Sequence, residues 1–194
     1  YTVSGAGDVN GDGLADLVVG GPGSGDVPVM YVVYGRAGSA GVNLISATIA
    51  ASDGFKVTSP VNSGFGSKVS GAGDVNGDGL ADVIVGSHII GSAYVIYGKT
   101  GSQAITVTSN TDFTADLGYK LLDGSVSDLG ASVYGAGDVN GDGLADFVVG
   151  ANNFSSANKA GMAYVVYGNS TGTSVQLDAN DNIAASQGFR VTGL

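Results

Sequence analysis

An all-β chain of three four-stranded antiparallel blades is predicted by three observations. The string Gly-Ala-Gly-Asp-Val-Asn-Gly-Asp-Gly-Leu-Ala-Asp occurs unchanged at 5–16, 71–82 and 135–146. Successive copies lie 66 and 64 residues apart. Each copy is followed by the same order of short runs rich in Val, Ile and Tyr and bounded by Gly. Such runs suit a pleated surface and are too short for buried helices. Self-similarity at a long fixed period marks units that bury their faces against their neighbours.

The first strand of each unit precedes the Asp-rich string, at 1–3, 67–69 and 131–134. The second is a continuous apolar run at 17–20, 83–86 and 147–150, expected to be an inner strand buried on both faces. The third, at 31–35, 94–98 and 164–168, opens and closes on Tyr and ends in Gly. The fourth, at 54–58, 118–122 and 188–192, alternates apolar and polar residues, which suits an exposed edge. Four strands per period is the content of one β-propeller blade. One repeat array therefore covers 1–194, with blades at 1–60, 61–124 and 125–194. A β-sandwich would not require near-identical units at this spacing, and a parallel β-helix would repeat at a shorter period.

Composition narrows the partners. Glycine contributes 35 of 194 residues without a three-residue period, so it serves turns rather than a collagen helix. There is no Cys, which removes disulfides and thiolate metal sites. All 17 acidic residues are Asp, and the net charge of −10 opposes nucleic acid and anionic membrane. No apolar run reaches the length of a membrane span, and Tyr1 opens no signal-peptide pattern, so the sequence reads as a mature or excised piece.

The Asp-rich strings carry the main chemical expectation. Each reads Asp-x-Asn-x-Asp-Gly-x-x-Asp: Asp8, Asn10, Asp12 and Asp16; Asp74, Asn76, Asp78 and Asp82; Asp138, Asn140, Asp142 and Asp146. Oxygen ligands at alternate positions of a tight loop converge on one point, and Gly13, Gly79 and Gly143 permit the turn. The carbonyls of Leu14, Leu80 and Leu144 stand where a backbone ligand is expected. Clustered carboxylates repel one another, so a divalent cation is the expected counterion, and hard oxygen donors favour calcium over zinc or magnesium. Three Ca2+ sites, one per blade, follow as an expectation. The plainer alternative is that Asn-Gly and Asp-Gly only mark turns, which three identical copies disfavour. An EF-hand fails because position twelve is Val19, Val85 or Val149 inside an apolar run, where a Glu is required. A dockerin-like pair fails for want of helical continuation and a shorter repeat.

With these motifs the chain resembles the FG-GAP repeat, integrin-α-like β-propeller family. The label's first half stands as Phe65-Gly66 and, substituted, as Leu129-Gly130; its second half is degenerate at 20–22, 86–88 and 150–152. The resemblance implies a β-propeller with calcium in blade loops at one face, serving extracellular or cell-surface adhesion or recognition of a protein or carbohydrate ligand. Three blades are too few to close a ring. A homodimer, a longer propeller or an open arc is therefore expected.

Catalysis is not expected. His88 is the sole histidine and reads as a surface-loop residue, and there is no Gly-x-Ser-x-Gly elbow. The Tyr pairs 31/34, 94/97 and 164/167 put their members on opposite strand faces, which favours blade packing over a sugar platform. Carboxylate pairs for glycoside hydrolysis could be drawn from Asp112, Asp116, Asp123 and Asp128, which also read as solvated loop residues. A carbohydrate-active enzyme or accessory domain, and a purely structural or designed scaffold, are the alternatives.

Overall fold

The computed structural model describes residues 1–22, 27–44, 49–59, 63–107, 113–122, 128–152, 161–178 and 180–192. Asp112 and Asp123 lie outside them. The chain forms three β-sheets in succession, all but two of whose strand pairings are antiparallel. The first contains β1 (Thr2–Gly7), β2 (Asp16–Pro22), β3 (Pro28–Val33) and β4 (Gly54–Thr58), paired in chain order. The second contains β5 (Phe65–Gly73), β6 (Asp82–Ser87), β7 (Ser92–Ile96) and β9 (Gly118–Leu122). The third contains β10 (Leu129–Gly137), β11 (Asp146–Ala151), β12 (Met162–Val166) and β14 (Gly188–Thr192). The four strands expected per unit are thus present in each sheet, and the sheets are propeller-like blades.

Two further strands were not foreseen. β8 (Ile105–Thr106) joins β4 in parallel, and β13 (Val175–Gln176) joins β9 in parallel. Each comes from a connection within the following unit, so each of the first two sheets borrows its fifth strand from the next stretch of chain. Backbone bonds from Val107 to Thr58 (2.8 Å) and from Leu177 to Leu122 (3.1 Å) continue these ladders. The fourth strands β4 and β9 are consequently interior, which corrects the expectation of exposed edges. Phe55, Val57, Tyr119 and Leu121 are buried. Only in the third sheet, with no added strand among the described residues, are Phe189 and Val191 on the fourth strand exposed.

The sheets stack face to face, because alternate residues of each strand point to opposite sides. One core lies between the first and second sheets. The rear face of the first (Ala6, Val9, Val18, Met30, Val32, Phe55, Val57) meets the front face of the second (Val69, Val83, Val85, Tyr94, Ile96). A second core repeats this arrangement one unit on. There the rear of the second sheet (Ala72, Val75, Ile84, Ala93, Val95, Tyr119, Leu121) meets the front of the third (Val133, Phe147, Val149, Tyr164, Val166). The inner strand β6 is buried on both faces as expected, whereas in β11 Phe147 and Val149 are buried and Val148 only partly. In β2, Leu17 is 48% exposed, against 0% for its counterpart Val83, because among the described residues no sheet stacks in front of the first.

Glycine is required where the fourth strand starts. Gly54, Gly118 and Gly188 have φ of 140°, 140° and 151°, and a Cβ there would collide with the carbonyl of Val32, Val95 or Val165. Close strand approach at this corner therefore accounts for the Gly that opens each 54–58-type run.

Candidate functional site

Every Asp-rich loop joins the first strand of its sheet to the second, and the three loops share one hydrogen-bond pattern. In the first, the Asp8 carboxylate accepts from the backbone N–H groups of Gly11 (2.7 Å), Asp12 (3.1 Å) and Gly13 (2.8 Å). Asn10 Oδ1 accepts from the Asp12 amide at 2.9 Å, and Asp12 Oδ1 from the Leu14 amide at 2.9 Å. Asn10 Nδ2 donates to Asp12 Oδ2 at 2.9 Å. Asp74, Asn76 and Asp78 repeat this set, as do Asp138, Asn140 and Asp142. These are Asx turns, in which a short side chain caps backbone donors that the tight loop leaves unpaired.

The last Asp of each loop is different in kind. Asp16, Asp82 and Asp146 are buried at the start of the second strand. Asp82 accepts from Val75 N–H through Oδ2 (2.8 Å) and from Gly98 N–H through Oδ1 (2.8 Å). Asp16 holds Val9 (2.8 Å) and Gly35 (2.7 Å), and Asp146 holds Val139 (2.7 Å) and Gly168 (2.9 Å). Each buried carboxylate therefore ties the loop to the Gly two residues past the third strand, a role the sequence pattern did not announce.

This arrangement corrects the expectation of three Ca2+ sites. Among the described residues no group of three or more His, Cys, Asp or Glu side chains could hold a metal ion. The physical reason is the donor set. The first Asp spends its oxygens on three amides, the second on a Leu amide and an Asn side chain, and the last on at least two backbone amides, so N–H dipoles offset the carboxylate charge. The Leu14, Leu80 and Leu144 positions were expected to supply carbonyls. The amides of these Leu residues donate to Asp12, Asp78 and Asp142, and the side chains of Leu80 and Leu144 reach the preceding sheet. A Cβ on Gly11 would lie 3.0 Å from Leu80 Cδ2, and one on Gly77 2.9 Å from Leu144 Cδ2. Backbone bonds reinforce this contact, Ala81 N–H to the Asp8 carbonyl (2.9 Å) and Ala145 N–H to the Asp74 carbonyl (2.8 Å).

Burial pushes the Asp82 carboxyl up to about 7, with repulsion from Asp78 and Asp74 adding to it and the Gly98 and Val75 bonds opposing it. Asp16 shifts upward chiefly through burial, with Asp12 and Asp8 adding and Gly35 and Val9 opposing. Exposed Asp142 is held low by the Leu144 amide and the Asn140 side chain. For Asp82 the ordinary value is 3.8, so the folded chain binds this proton more tightly than the unfolded one between 3.8 and about 7. Its contribution to stability is present at low pH and is lost as pH rises through about 7. Thermal unfolding from about pH 5 to about pH 8 should show wild type losing on the order of 2 kcal/mol more than Asp82→Asn, which has no titrating group there. Parallel curves would refute the assignment.

Other sequence candidates fall into structural roles. His88 is half-buried, starts a one-turn 3-10 helix (His88–Ile90), and its Nδ1 lies 3.1 Å from Ser67 Oγ. Tyr94, Tyr97 and Tyr164 are buried in the cores. The described part of the third unit also carries a cavity of about 260 Å³ that sequence reading missed. It lies where the chain leaves β12 and returns to β14, between Tyr167, Asn169, Thr171, Thr173, Ser186 and Gln187. Tyr167 belongs to the repeated Tyr-x-x-Tyr-Gly run, whereas Asn169, Thr171 and Thr173 lie in the connection that differs between units.

Three stacked sheets, each with a self-bonded Asp loop, the first two of which lean on the following sheet, define a repeat-built, propeller-like all-β module. Residues 1–42 and 129–166 match the FG-GAP repeat. The chain is 34% identical over 152 residues, 74% of its length, to integrin alpha-11 of Homo sapiens, and spans 12% of that protein. It is 37% identical over 92 residues, 45% of its length, to integrin alpha pat-2 of Caenorhabditis elegans, and spans 7% of it. With integrin alpha-4 of Xenopus laevis the identity is 27% over 157 residues, 75% of this chain and 14% of the relative. The chain thus shares FG-GAP repeat and integrin-α-like homology with these proteins, of which it spans only a small part.

Proposed function

We propose that the chain is an extracellular or cell-surface recognition module that binds a partner and does not catalyse. The observation that carries this reading is the integrin α similarity across 74% of the chain, joined to the FG-GAP match. The three identical loops act as scaffold: they spend their polar atoms on their own backbone and on neighbouring sheets. Specificity then resides in the connections that differ between units, at 34–53, 97–117 and 167–187. The module is completed by further blades, from a second copy or from a longer propeller, and the blades are taken as 1–60, 61–124 and 125–194. Among the described residues no helix is long and apolar enough to cross a membrane.

The cavity between Tyr167 and Gln187 favours a second reading, a carbohydrate-binding accessory module. An aromatic ring beside amides and hydroxyls suits a saccharide, which offers both an apolar face and hydroxyl groups. One experiment separates the two. The 194-residue chain is tested against immobilised matrix proteins and against a glycan array. Saturable binding to a matrix protein, unaffected by Asn169→Ala, supports the leading reading. Glycan binding weakened about tenfold by Asn169→Ala supports the second. Binding to neither overturns both.

A further inference from the structure

Asn-Gly steps occur three times in the sequence, at Asn10, Asn76 and Asn140, each inside an Asp-rich loop. In an unrestrained chain such a step is short-lived, because no side chain on the second residue keeps its nitrogen from closing on the asparagine carboxamide. The fold nevertheless requires both residues. Gly77 has φ of 80°, and a Cβ there would lie 2.9 Å from Leu144 Cδ2. Asn76 accepts from the Asp78 amide through Oδ1 (2.9 Å) and donates to the Asp78 carboxylate through Nδ2 (2.9 Å), two roles that an ionised Asp cannot combine.

The same bonds keep the reaction from starting. Asp78 holds the Asn76 carboxamide by both its oxygen and its nitrogen, so the carbon between them cannot turn onto the backbone. The Gly77 N–H, which must shed its proton to attack, is donated to Asp74 Oδ1 at 2.7 Å. Asp12 and Asp8 hold Asn10 and Gly11 in this way, and Asp142 and Asp138 hold Asn140 and Gly141. The three glycines are exposed, so water reaches each step. We propose that the three asparagines are latent deamidation sites, closed while the loop bonds hold and open once a loop lets go. On opening, the Gly77 nitrogen bonds to Asn76 Cγ, the Cγ–Nδ2 bond breaks, and ammonia leaves with the amide proton. Water then opens the cyclic imide at either carbonyl, giving Asp or isoaspartate at position 76. Both products oppose reclosure. Asp sets two carboxylates where an N–H met an oxygen, and isoaspartate adds a methylene to the backbone of a tight turn. Each loop is thus a one-way latch that records its own opening.

Peptide mapping of the full chain, incubated at neutral pH and physiological temperature, tests this. Cleavage after Lys and Arg puts Asn10, Asn76 and Asn140 on separate peptides, so each loop is timed against the other two. Native wild type should deamidate on the order of 100-fold more slowly than the same chain in urea, the combined effect of the bonds that must break first. Asp74→Ala frees the Gly77 N–H and should raise the rate at Asn76 about tenfold, leaving Asn10 and Asn140 at wild-type rates. Equal acceleration at all three sites means that this variant has unfolded; Asp78→Ala, which frees the Asn76 carboxamide, then replaces it, and the wild-type comparison with urea decides in either case. Native rates equal to those in urea overturn the proposal, because the bonds then close nothing. Native rates above those in urea overturn it as well, since Asp74 would be drawing the proton from Gly77 rather than holding it. So does a folded variant in which Asn76 stays as slow as in wild type. An Asn76→Asp chain should melt below wild type, and one that melts with it removes the one-way step.

Discussion

Replacing Tyr119 by alanine should lower the stability of the folded chain by about 4 kcal/mol, the cost of removing a large buried aromatic with incomplete collapse of the space it leaves. The ring is 1% exposed and sits at the centre of the core between the second and third sheets. It packs against Tyr97 with ring centroids 6.2 Å apart and against Phe147 at 6.0 Å. Truncation therefore opens a cavity and strips two aromatic pairs at once. Its counterpart Phe189, at 41% exposure, supplies the contrast. Phe189→Ala should cost well under half as much in dilute solution, because the ring buries less surface. Urea unfolding monitored by circular dichroism measures both. Equal losses at the two positions would mean that the third sheet is covered in a way the exposure does not reflect.

Asp82→Ala is expected to cost about 3 kcal/mol, since it leaves the amides of Val75 and Gly98 buried without an acceptor. At a few degrees per kcal/mol for a chain of this size, the melting midpoint should fall by about 10 °C. Asp82→Asn should fall between the two, keeping one acceptor while turning an N–H toward the other amide. The same substitution at Asp146 should be milder. Val139, whose amide Asp146 holds, is 49% exposed, so water replaces part of what is lost. A destabilisation at Asp146 as large as at Asp82 would count against this account of the loop.

The architecture was legible because its signals were redundant. Each unit repeats its loop, its Gly-bounded apolar runs and the Gly that opens its fourth strand, so the number and order of strands could be read three times over. The integrin-α-like resemblance was carried by the same residues. What could not be read was position within the stack. Leu17 and Val83 occupy the same place in the repeat, and only the presence of a neighbouring sheet decides that one is exposed and the other buried. β8 and β13 escaped notice because two residues carry no periodicity, and their partners are set by tertiary proximity alone.

The loops show a different limit. Asp-x-Asn-x-Asp-Gly places oxygens at alternate positions whether their lone pairs turn toward a cation or toward the loop's own amides. Sequence supplies the oxygens but not their direction. Here Asp8 accepts from Gly11, Asp12 and Gly13, and Asp12 from Leu14 and Asn10. The turn alternative thus describes the geometry, and the buried last Asp adds a tie to the third strand that neither expectation contained. Of the cavity's lining only Tyr167 carried a signal, as a member of a repeated Tyr pair read as blade packing; the polar residues beside it come from one unit's own connection.

The borrowed strands also decide where this molecule can be cut. Because β13 completes the second sheet from within the third unit, a fragment ended at the repeat boundary near 124 would lose that strand and bare the backbone of β9 at Leu121 and Leu122. A transplantable two-unit cassette must instead run to Leu177, whose amide closes the last rung on Leu122. Evolutionary shuffling or laboratory grafting of single units is thereby discouraged: the stitches overlap the seams, and the heritable module is longer than the period written in the sequence.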